Sequence, residues 1–266
     1  MKYSSCIAAV AGAAVLSGCM CCPQEAENNN VIDARYTDTP VVVDGVLDDA
    51  AWQGANMYPL LWNPAWGRGQ RSLERHGGEQ WEHGYAKLSW DDEYVYVAVD
   101  FEDSDVIALE TEDQKHLYAS GDLAEVFLKP VLEDYDYYWE LYISPYGNKS
   151  TFFFPSGGHF GLPSIDAFIM DGYKVAAKVD GTLRTEKGDF SLSLDEDNGW
   201  TGEAAIPIAE LTKYGAELDE NTPWLILLGR YNYNIHYTEQ ENSAFPLLPK
   251  LSFHDIPNYG TIRFVR

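Results

Sequence analysis

The chain has 266 residues, with 18 Lys and Arg against 42 Asp and Glu, which gives a formal net charge of −24. This charge argues against nucleic-acid binding, which needs basic surfaces, and against electrostatic adhesion to anionic membranes. Hydrophobic residues make up 45 % of the chain, enough for a large core, and the 18 Tyr and 8 Trp suit either β-strands or an aromatic ligand surface.

The N-terminus has the pattern of a secretion signal. Lys2 precedes the apolar run Ile7–Leu16, which is too short to span a bilayer as a permanent helix. The run ends in Leu16-Ser17-Gly18-Cys19, which resembles a bacterial lipobox. We therefore predict a signal peptide over residues 1–18 and a lipidated Cys19 that anchors the protein in the cell envelope, at the outer membrane or cell surface.

The segment after the lipobox is polar, and we predict a flexible tether over residues 19–35 followed by one domain over residues 36–266. All four cysteines lie at or before Cys22, so the domain has no disulfide framework and no cysteine-based metal site or nucleophile.

Alternating hydrophobicity predicts strands along most of the domain. In Trp90–Asp105, the side chains of Val95, Val97, Val99 and Phe101 fall on one face of a strand, and an acidic loop follows. We predict strands at Val41–Asp44, Tyr85–Trp90, Tyr94–Phe101, Leu123–Lys129, Tyr137–Ser144, Ser150–Phe154, Tyr173–Val179, Phe190–Leu194, Thr201–Ile206, Leu225–Tyr233 and Gly260–Val265. Many short strands with little helical periodicity indicate an all-β protein, an antiparallel β-sandwich of jelly-roll type.

Two short helices are predicted, at Leu47–Ala55 and Ile208–Tyr214. A long irregular segment, Met57–Gly84, contains three tryptophans that either roof a ligand site or pack the loop: Trp62, Trp66 and Trp81. Trp90 and Trp200 each begin or end a strand at a turn and are predicted to be core residues.

Five sequence blocks follow one another between residues 36 and 265. They are Val43–Asp48 with Ala51-Trp52; Leu88–Asp105; Gly121–Leu128 with Tyr138–Pro145; Gly199–Glu203 with Ala205–Pro207; and Gly229–Asn234 with Phe253–Asp255 and Tyr259–Thr261. In this order they resemble the family 9 carbohydrate-binding modules and their outer-membrane relatives. The resemblance implies non-catalytic binding of an oligo- or polysaccharide by a β-sandwich, in the service of glycan-degrading or uptake proteins.

The resemblance also implies where the sugar binds. Phe253 falls where the family has one of two tryptophans that hold the sugar, and Tyr118 lies nearest to the place of the other. Glu125 falls on the sugar-binding glutamate of the family. A strand that lines the family site carries Arg230, Asn232 and Asn234 on one face.

These residue types suit a sugar. The apolar C–H face of a pyranose packs on aromatic rings, while a carboxylate accepts hydrogen bonds from its hydroxyls. Two structural alternatives stay open from sequence alone: Glu125 pairs with Arg230 inside the scaffold, or Phe253 is an ordinary core residue.

The acidic end of the Trp90–Asp105 block is a candidate metal site. Calcium prefers several carboxylate oxygens, and family members bind structural calcium. The candidate ligands are Asp100, Glu102, Asp103 and Asp105.

Two other functions remain as alternatives. Hydrolysis of a glycoside needs two carboxylates that flank the bond, whereas Asp122 and Glu125 are three residues apart and face opposite sides of one strand. A haem-binding sandwich would draw its axial ligands from His76, His83, His116, His159, His236, His254, Met57 or Met170, and a visible spectrum would reveal it. No Cys-x-x-Cys-His or hydrolase motif is present, so the sequence favours a binding protein over an enzyme.

Overall fold

The computed structural model describes residues 30–66, 79–132, 136–155, 169–188, 195–237 and 239–266. The strands of these residues are β1 (Val31–Tyr36), β2 (Tyr58–Leu60), β3 (Gly84–Trp90), β4 (Tyr94–Glu102), β5 (Leu123–Pro130), β6 (Tyr138–Ile143), β7 (Thr151–Phe154), β8 (Lys174–Asp180), β9 (Gly199–Pro207), β10 (Trp224–Asn232), β11 (Glu241–Phe245) and β12 (Gly260–Val265). The helices are α1 (Ala50–Gly54) and α2 (Ile208–Thr212), with 3-10 turns at Pro64–Trp66, Leu117–Ala119 and Ile256–Asn258.

The strands form one curled sheet in the order β7-β6-β5-β10-β12-β1-β3-β4-β9-β8, with β11 paired to β10 and β2 paired to β3. β1 runs parallel to both β12 and β3, and every other pairing of the described strands is antiparallel. We call β5, β6, β7, β10 and β11 the first layer, and β2, β3, β4, β8 and β9 the second layer. The predicted all-β sandwich is confirmed, although the parallel pairings of β1 were not predicted.

The two layers face each other across the main core. A Cβ atom added to Gly202 on β9 would lie 2.9 Å from Cγ2 of Ile143 on β6, so the backbone of one layer approaches the side chains of the other. Trp90 and Trp200 are buried in this core, as predicted. Other core side chains from the two layers are Val95, Val97, Val99, Phe101, Ala124, Val126, Leu128, Trp139, Leu141, Ile226 and Leu228.

The outward face of the second layer is buried as well. Tyr96 and Ala98 on β4 pack there against Trp52 of α1. The strand β4 therefore has apolar neighbours on both faces, which explains why it is apolar at nearly every position.

Glu203 anchors the segment that covers this outward face. Its carboxylate accepts hydrogen bonds from the backbone N–H groups of Asp44 (3.0 Å) and Gly45 (2.8 Å) and from the Trp52 indole (2.7 Å). Gly45 has a φ of +84°, and a Cβ there would lie 2.5 Å from the backbone of Ala177. The predicted strand Val41–Asp44 is wrong, because at its C-terminal end the backbone donates to a carboxylate rather than to a neighbouring strand.

Three strands were not predicted. β1 lies in the segment assigned to the tether, so the boundary at residue 36 is too late: Ile32 and Ala34 are buried in the main core. β2 is only three residues long, and β11 (ENSAF) has little apolar periodicity. The predicted strand Phe190–Leu194, the signal peptide and Cys19 lie outside the described residues. Within the described part of the chain, no helix is long and apolar enough to cross a membrane.

Replacing Glu203 by Gln should destabilise the protein. A glutamine amide group has only one acceptor oxygen, so its NH2 group would face a backbone or indole N–H donor. We expect the free energy of unfolding to fall by about 2 kcal/mol in urea denaturation. The exposed Glu186→Gln should change it by less than about 0.5 kcal/mol. Equal stability of the two variants would contradict the anchoring role of Glu203.

Candidate functional site

A cavity of about 400 Å³ opens on the outward face of the first layer, on the side away from the main core. Seven of its described lining residues are Trp, Tyr or Phe, and two are glutamates. The lining consists of Trp66, His116, Tyr118, Glu125, Glu140, Tyr142, Phe152, Phe154, Tyr231, Leu251, Ser252, Phe253 and His254.

Strand register brings the two glutamates to the floor of this cavity. Glu125 on β5 lies opposite Tyr142 on β6, and Glu140 on β6 lies opposite Phe127 on β5. Residues that are paired across strands share a face, so Glu125 and Glu140 are diagonal neighbours on the same face. Both are buried, with exposed fractions of 2 % and 5 %.

Phe253 forms one wall of the cavity and packs directly on β10. A Cβ added to Gly229 would lie 2.7 Å from Cε2 of Phe253, so only glycine leaves room for this ring. Gly229 is also the residue of β10 that lies opposite Glu125. The aromatic wall and the carboxylate floor therefore meet at one point of the sheet.

Other aromatic rings continue the wall. The Phe253 ring lies edge-on to Tyr231, with ring centroids 5.5 Å apart, and to Trp66 at 6.5 Å. Tyr231 in turn lies 5.8 Å from Tyr118. The Trp66 indole donates to the Leu248 carbonyl at 2.9 Å, which fixes the orientation of that ring.

Glu140 is only partly satisfied by its neighbours. The Tyr142 hydroxyl donates to Oε1 of Glu140 at 2.5 Å, whereas Oε2 is buried and has no hydrogen-bond partner among the described residues. The His254 Nε2 atom is 3.8 Å from Oε2, which is too long for a hydrogen bond. The other ring nitrogen, Nδ1, lies 2.8 Å from the Tyr138 hydroxyl.

Burial changes the ionisation of the titratable side chains that line the cavity. It raises the pKa of Glu125 well above its ordinary value, and the charge of the neighbouring Glu140 raises it further. Burial likewise raises the pKa of Glu140 to about 7, against the lowering effect of Tyr142. Burial lowers the pKa of His254, so this ring is neutral at neutral pH. The two carboxyl groups therefore do not both carry a full charge near pH 7 in the empty cavity.

Of the residues predicted from sequence, Glu125, Phe253 and Tyr118 come together in the cavity. Arg230, Asn232 and Asn234 do not line it. Because side chains alternate along β10, Tyr231 faces the cavity while Arg230 and Asn232 face the opposite side. The alternative in which Glu125 pairs with Arg230 is wrong for the same reason.

Arg230 instead joins β10 to the second layer. Its guanidinium donates to the backbone carbonyls of Glu82 (3.2 Å), His83 (3.2 Å) and Glu102 (2.6 Å), and it lies 4.5 Å from the centroid of the Phe101 ring. This buried cation holds the two layers in register.

Two side-chain amides on the same face as Arg230 also link this part of the chain to the second layer. Asn232 donates to the Glu82 carboxylate at 2.6 Å, and Asn234 donates to the Ser104 hydroxyl at 2.8 Å. These contacts account for Asn232 and Asn234 as parts of the scaffold.

The predicted calcium ligands do not converge on one point. Asp103 lies 3.4 Å from the Arg230 guanidinium and Asp105 lies 2.8 Å from that of Arg184, while Asp100 and Glu102 are exposed. No group of three His, Cys, Asp or Glu side chains that could hold a metal ion is present in the described part of the chain. Each buried carboxylate of this loop is paired with an arginine.

Comparison with known proteins identifies the fold. No family model and no curated protein matches the sequence. A solved structure of a candidate carbohydrate-binding protein from Bacteroides uniformis superposes with a TM-score of 0.64 at 12 % identity, over 88 % of this chain and 98 % of that one.

A family 9 carbohydrate-binding module from Caldicellulosiruptor kristjanssonii is also similar. Its complex with glucose gives a TM-score of 0.54 at 14 % identity, over 89 % of this chain and 96 % of that one. Its complex with cellotriose gives 0.50 at 14 % identity, over 88 % and 93 %. This chain has the fold of the family 9 modules.

Within this family 9-like fold, several cavity residues were missed from sequence. Glu140 interrupts the buried strand YWELYI, and a carboxylate in such a strand is a signal of a special environment. Tyr231 was not among the predicted site residues, although it alternates with Arg230 and Asn232 along β10. Trp66 was one of three tryptophans whose role the sequence left open. It lines the cavity, and Trp62 packs against the same aromatic cluster. Trp81 is not part of the cavity lining and lies tilted against Tyr237, with ring centroids 4.3 Å apart.

Stability should fall as pH rises through neutrality. A carboxyl group with a raised pKa binds its proton more tightly in the folded state, so its stabilising contribution is full at low pH and is lost as pH rises towards the folded value. For Glu140 the pKa in the folded protein is about 7. We expect the free energy of unfolding to decrease between about pH 5 and pH 8, and Glu140→Gln to flatten this decrease.

Part of the slope should remain in that variant, because burial also raises the pKa of Asp103 to about 7 despite Arg230. The exposed Glu186→Gln is the control and should leave the pH profile unchanged. Parallel profiles for wild type and Glu140→Gln would contradict the ionisation described here.

Proposed function

We propose that this chain binds an oligosaccharide without cleaving it, with the sugar in the cavity of the first layer. The observation that carries the proposal is the juxtaposition of an aromatic wall, built from Phe253, Tyr231 and Tyr118, with a floor of two buried carboxylates. A pyranose presents complementary surfaces, an apolar C–H face and a rim of hydroxyl groups. The similarity to modules crystallised with glucose and cellotriose supports a saccharide ligand.

Each part of the site has a defined task in this proposal. Phe253 and Tyr118 pack against the C–H faces of the sugar, in agreement with their positions in the resemblance. Glu125 accepts hydrogen bonds from sugar hydroxyls, which compensates for the burial of its carboxylate. Gly229 lets the Phe253 ring lie directly above the strand that faces Glu125.

Glycoside hydrolysis is a second candidate, because the structure places Glu140 beside Glu125. Glycosidases use two carboxyl groups that flank the scissile bond. Here both groups rise from neighbouring strands of one floor, so they approach a bound sugar from the same side. This arrangement favours hydrogen bonding to the sugar over cleavage. Release of reducing ends from an oligosaccharide by the purified protein, lost in Glu125→Gln, would reverse this preference.

The haem alternative has two candidate ligands in the cavity wall, His116 and His254. The His254 ring is bonded to Tyr138 at 2.8 Å, and the His116 ring is stacked on Phe152 at 5.3 Å. Both rings belong to the aromatic wall, and a visible spectrum of the purified protein with a Soret band would favour haem over the sugar ligand.

We also propose that Cys19 carries a lipid that anchors this domain at the outer membrane or cell surface, where it captures polysaccharide for degradation or uptake proteins. The lipobox-like Leu16–Cys19 supports this proposal. Incorporation of labelled palmitate by the wild type but not by Cys19→Ser would support it, and equal incorporation would contradict it.

The binding proposal can be tested on a glycan array followed by calorimetry. We expect the wild type to bind at least one oligosaccharide, and Glu125→Gln and Tyr118→Ala each to weaken that binding about 5- to 30-fold, since each removes a contact worth about 1–2 kcal/mol. Tyr146→Ala removes an exposed ring that does not line the cavity and should bind as the wild type does. Full affinity in both cavity variants, or no binding to any glycan, would contradict the proposal.

A further inference from the structure

The cavity has an excess of negative charge. Its described lining contains two glutamates, two histidines and no Lys or Arg. His254 is neutral at neutral pH because burial lowers its pKa. The chain as a whole carries a formal charge of −24, so the surrounding field has the same sign. A ligand with carboxylate or sulfate groups is therefore disfavoured, and a ligand with positive charge is favoured.

One acceptor atom in this cavity lacks a donor. Oε2 of Glu140 is buried without a hydrogen-bond partner from the described residues, while Oε1 accepts from Tyr142. A buried carboxylate oxygen without a hydrogen-bond donor destabilises the folded protein. Glu140 belongs to the cavity lining, so a bound ligand is the group best placed to supply the missing donor.

Neutral and cationic hydrogen-bond donors interact differently with the two glutamates of the cavity floor. A hydroxyl group donates one hydrogen bond and brings no charge. An ammonium group donates three hydrogen bonds and attracts both carboxylates, and hydrogen bonds between charged partners are about twice as strong as neutral ones. The low polarity of the surrounding aromatic rings strengthens this attraction further.

We propose that the cavity prefers a sugar with a protonated amine, a hexosamine unit, whose ammonium group binds Oε2 of Glu140 at the cavity floor. This inference rests on the proposed function, because it specifies the sugar class for the same site. The ring of the hexosamine packs on Phe253 and Tyr118 as any pyranose would, and Glu125 accepts from a neighbouring hydroxyl or from the same ammonium group.

Binding of the ammonium group releases a proton from the cavity floor. In the empty cavity, Glu140 is partly protonated near neutral pH; when the ammonium binds, the carboxyl ionises and its proton passes to the solvent. The groups that face Glu140 from the surrounding elements are Glu125, Tyr138, Tyr142 and His254. The two tyrosines keep their protons because burial raises their pKa values, so the released proton comes from the carboxyl pair.

The test compares three oligosaccharides that share a β-1,4 backbone and differ only at C2. These are chito-oligosaccharides with free amines, their N-acetylated forms, and cello-oligosaccharides. At about pH 6.5, where the amine is protonated, we expect the free amine series to bind at least about tenfold more tightly than the other two. Calorimetry in buffers of different ionisation enthalpy should show proton release for the amine series alone.

Glu140→Gln is the decisive variant, since it is nearly isosteric, removes the charge and replaces one acceptor oxygen by an NH2 group. It should abolish the proton release and lower the affinity for the amine series to that for the cello-oligosaccharides. Circular dichroism and the urea midpoint confirm that the variant is folded; if it is not, proton release in the wild type decides the question alone.

Equal affinity of the wild type for all three series would overturn the amine preference and leave the proposed function intact. Failure to bind any of the three, together with binding to another glycan, would also overturn the amine preference alone. Absence of binding to every glycan would overturn both proposals.

Discussion

The antiparallel pairing of β5 with β10 decides which side chains reach the cavity. Both strands are buried on both faces, so each residue contributes either to the main core and the junction between layers or to the cavity floor. The register sets Glu125 opposite Gly229 and Ala124 opposite Arg230. A shift of one residue in either strand would exchange these faces and move a buried guanidinium into the position of the aromatic wall.

This separation of the two faces gives each buried charge its own environment. Arg230 is surrounded by backbone carbonyls and Asp103, which stabilise it as a fixed cation between the layers. Glu125 and Glu140 face no Lys or Arg side chain in the described cavity lining, and burial together with their mutual repulsion raises the pKa of Glu125. Burying these two carboxyl groups destabilises the protein while the cavity is empty, and a ligand with suitable hydrogen-bond donors would remove this cost. The same groups that weaken the empty protein thus account for ligand affinity in this proposal.

Much of the fold could be predicted from sequence because its strands alternate strongly. Tyr94–Glu102 and Leu123–Pro130 differ from the predicted bounds by only one residue. Prediction from the local sequence pattern failed where the conformation of a segment depends on residues that are distant in the sequence. Val41–Asp44 is apolar like a strand, yet its end is fixed by Glu203, some 160 residues later, through contacts of 3.0 and 2.8 Å. β1 is stabilised by β12 and β3, which lie far along the chain.

The candidate site was predictable only in part. The resemblance to the family supplied Glu125, Phe253 and Tyr118, which meet in the cavity. It also supplied Arg230, Asn232 and Asn234, and their alternation with Tyr231 was visible in the sequence. The register between β10 and β5 was not visible, so the sequence could not show that Arg230 lies on the side opposite Glu125. Glu140 was missed for a similar reason, since its proximity to Glu125 depends on the pairing of β6 with β5.

The most direct test of the central claim is a crystal structure of the protein with a bound oligosaccharide. We expect a sugar ring in the cavity, with its C–H face on Phe253 or Tyr118 and a hydrogen bond to Glu125. A sugar bound elsewhere, such as on the outward face of the second layer, with the cavity unchanged, would contradict it.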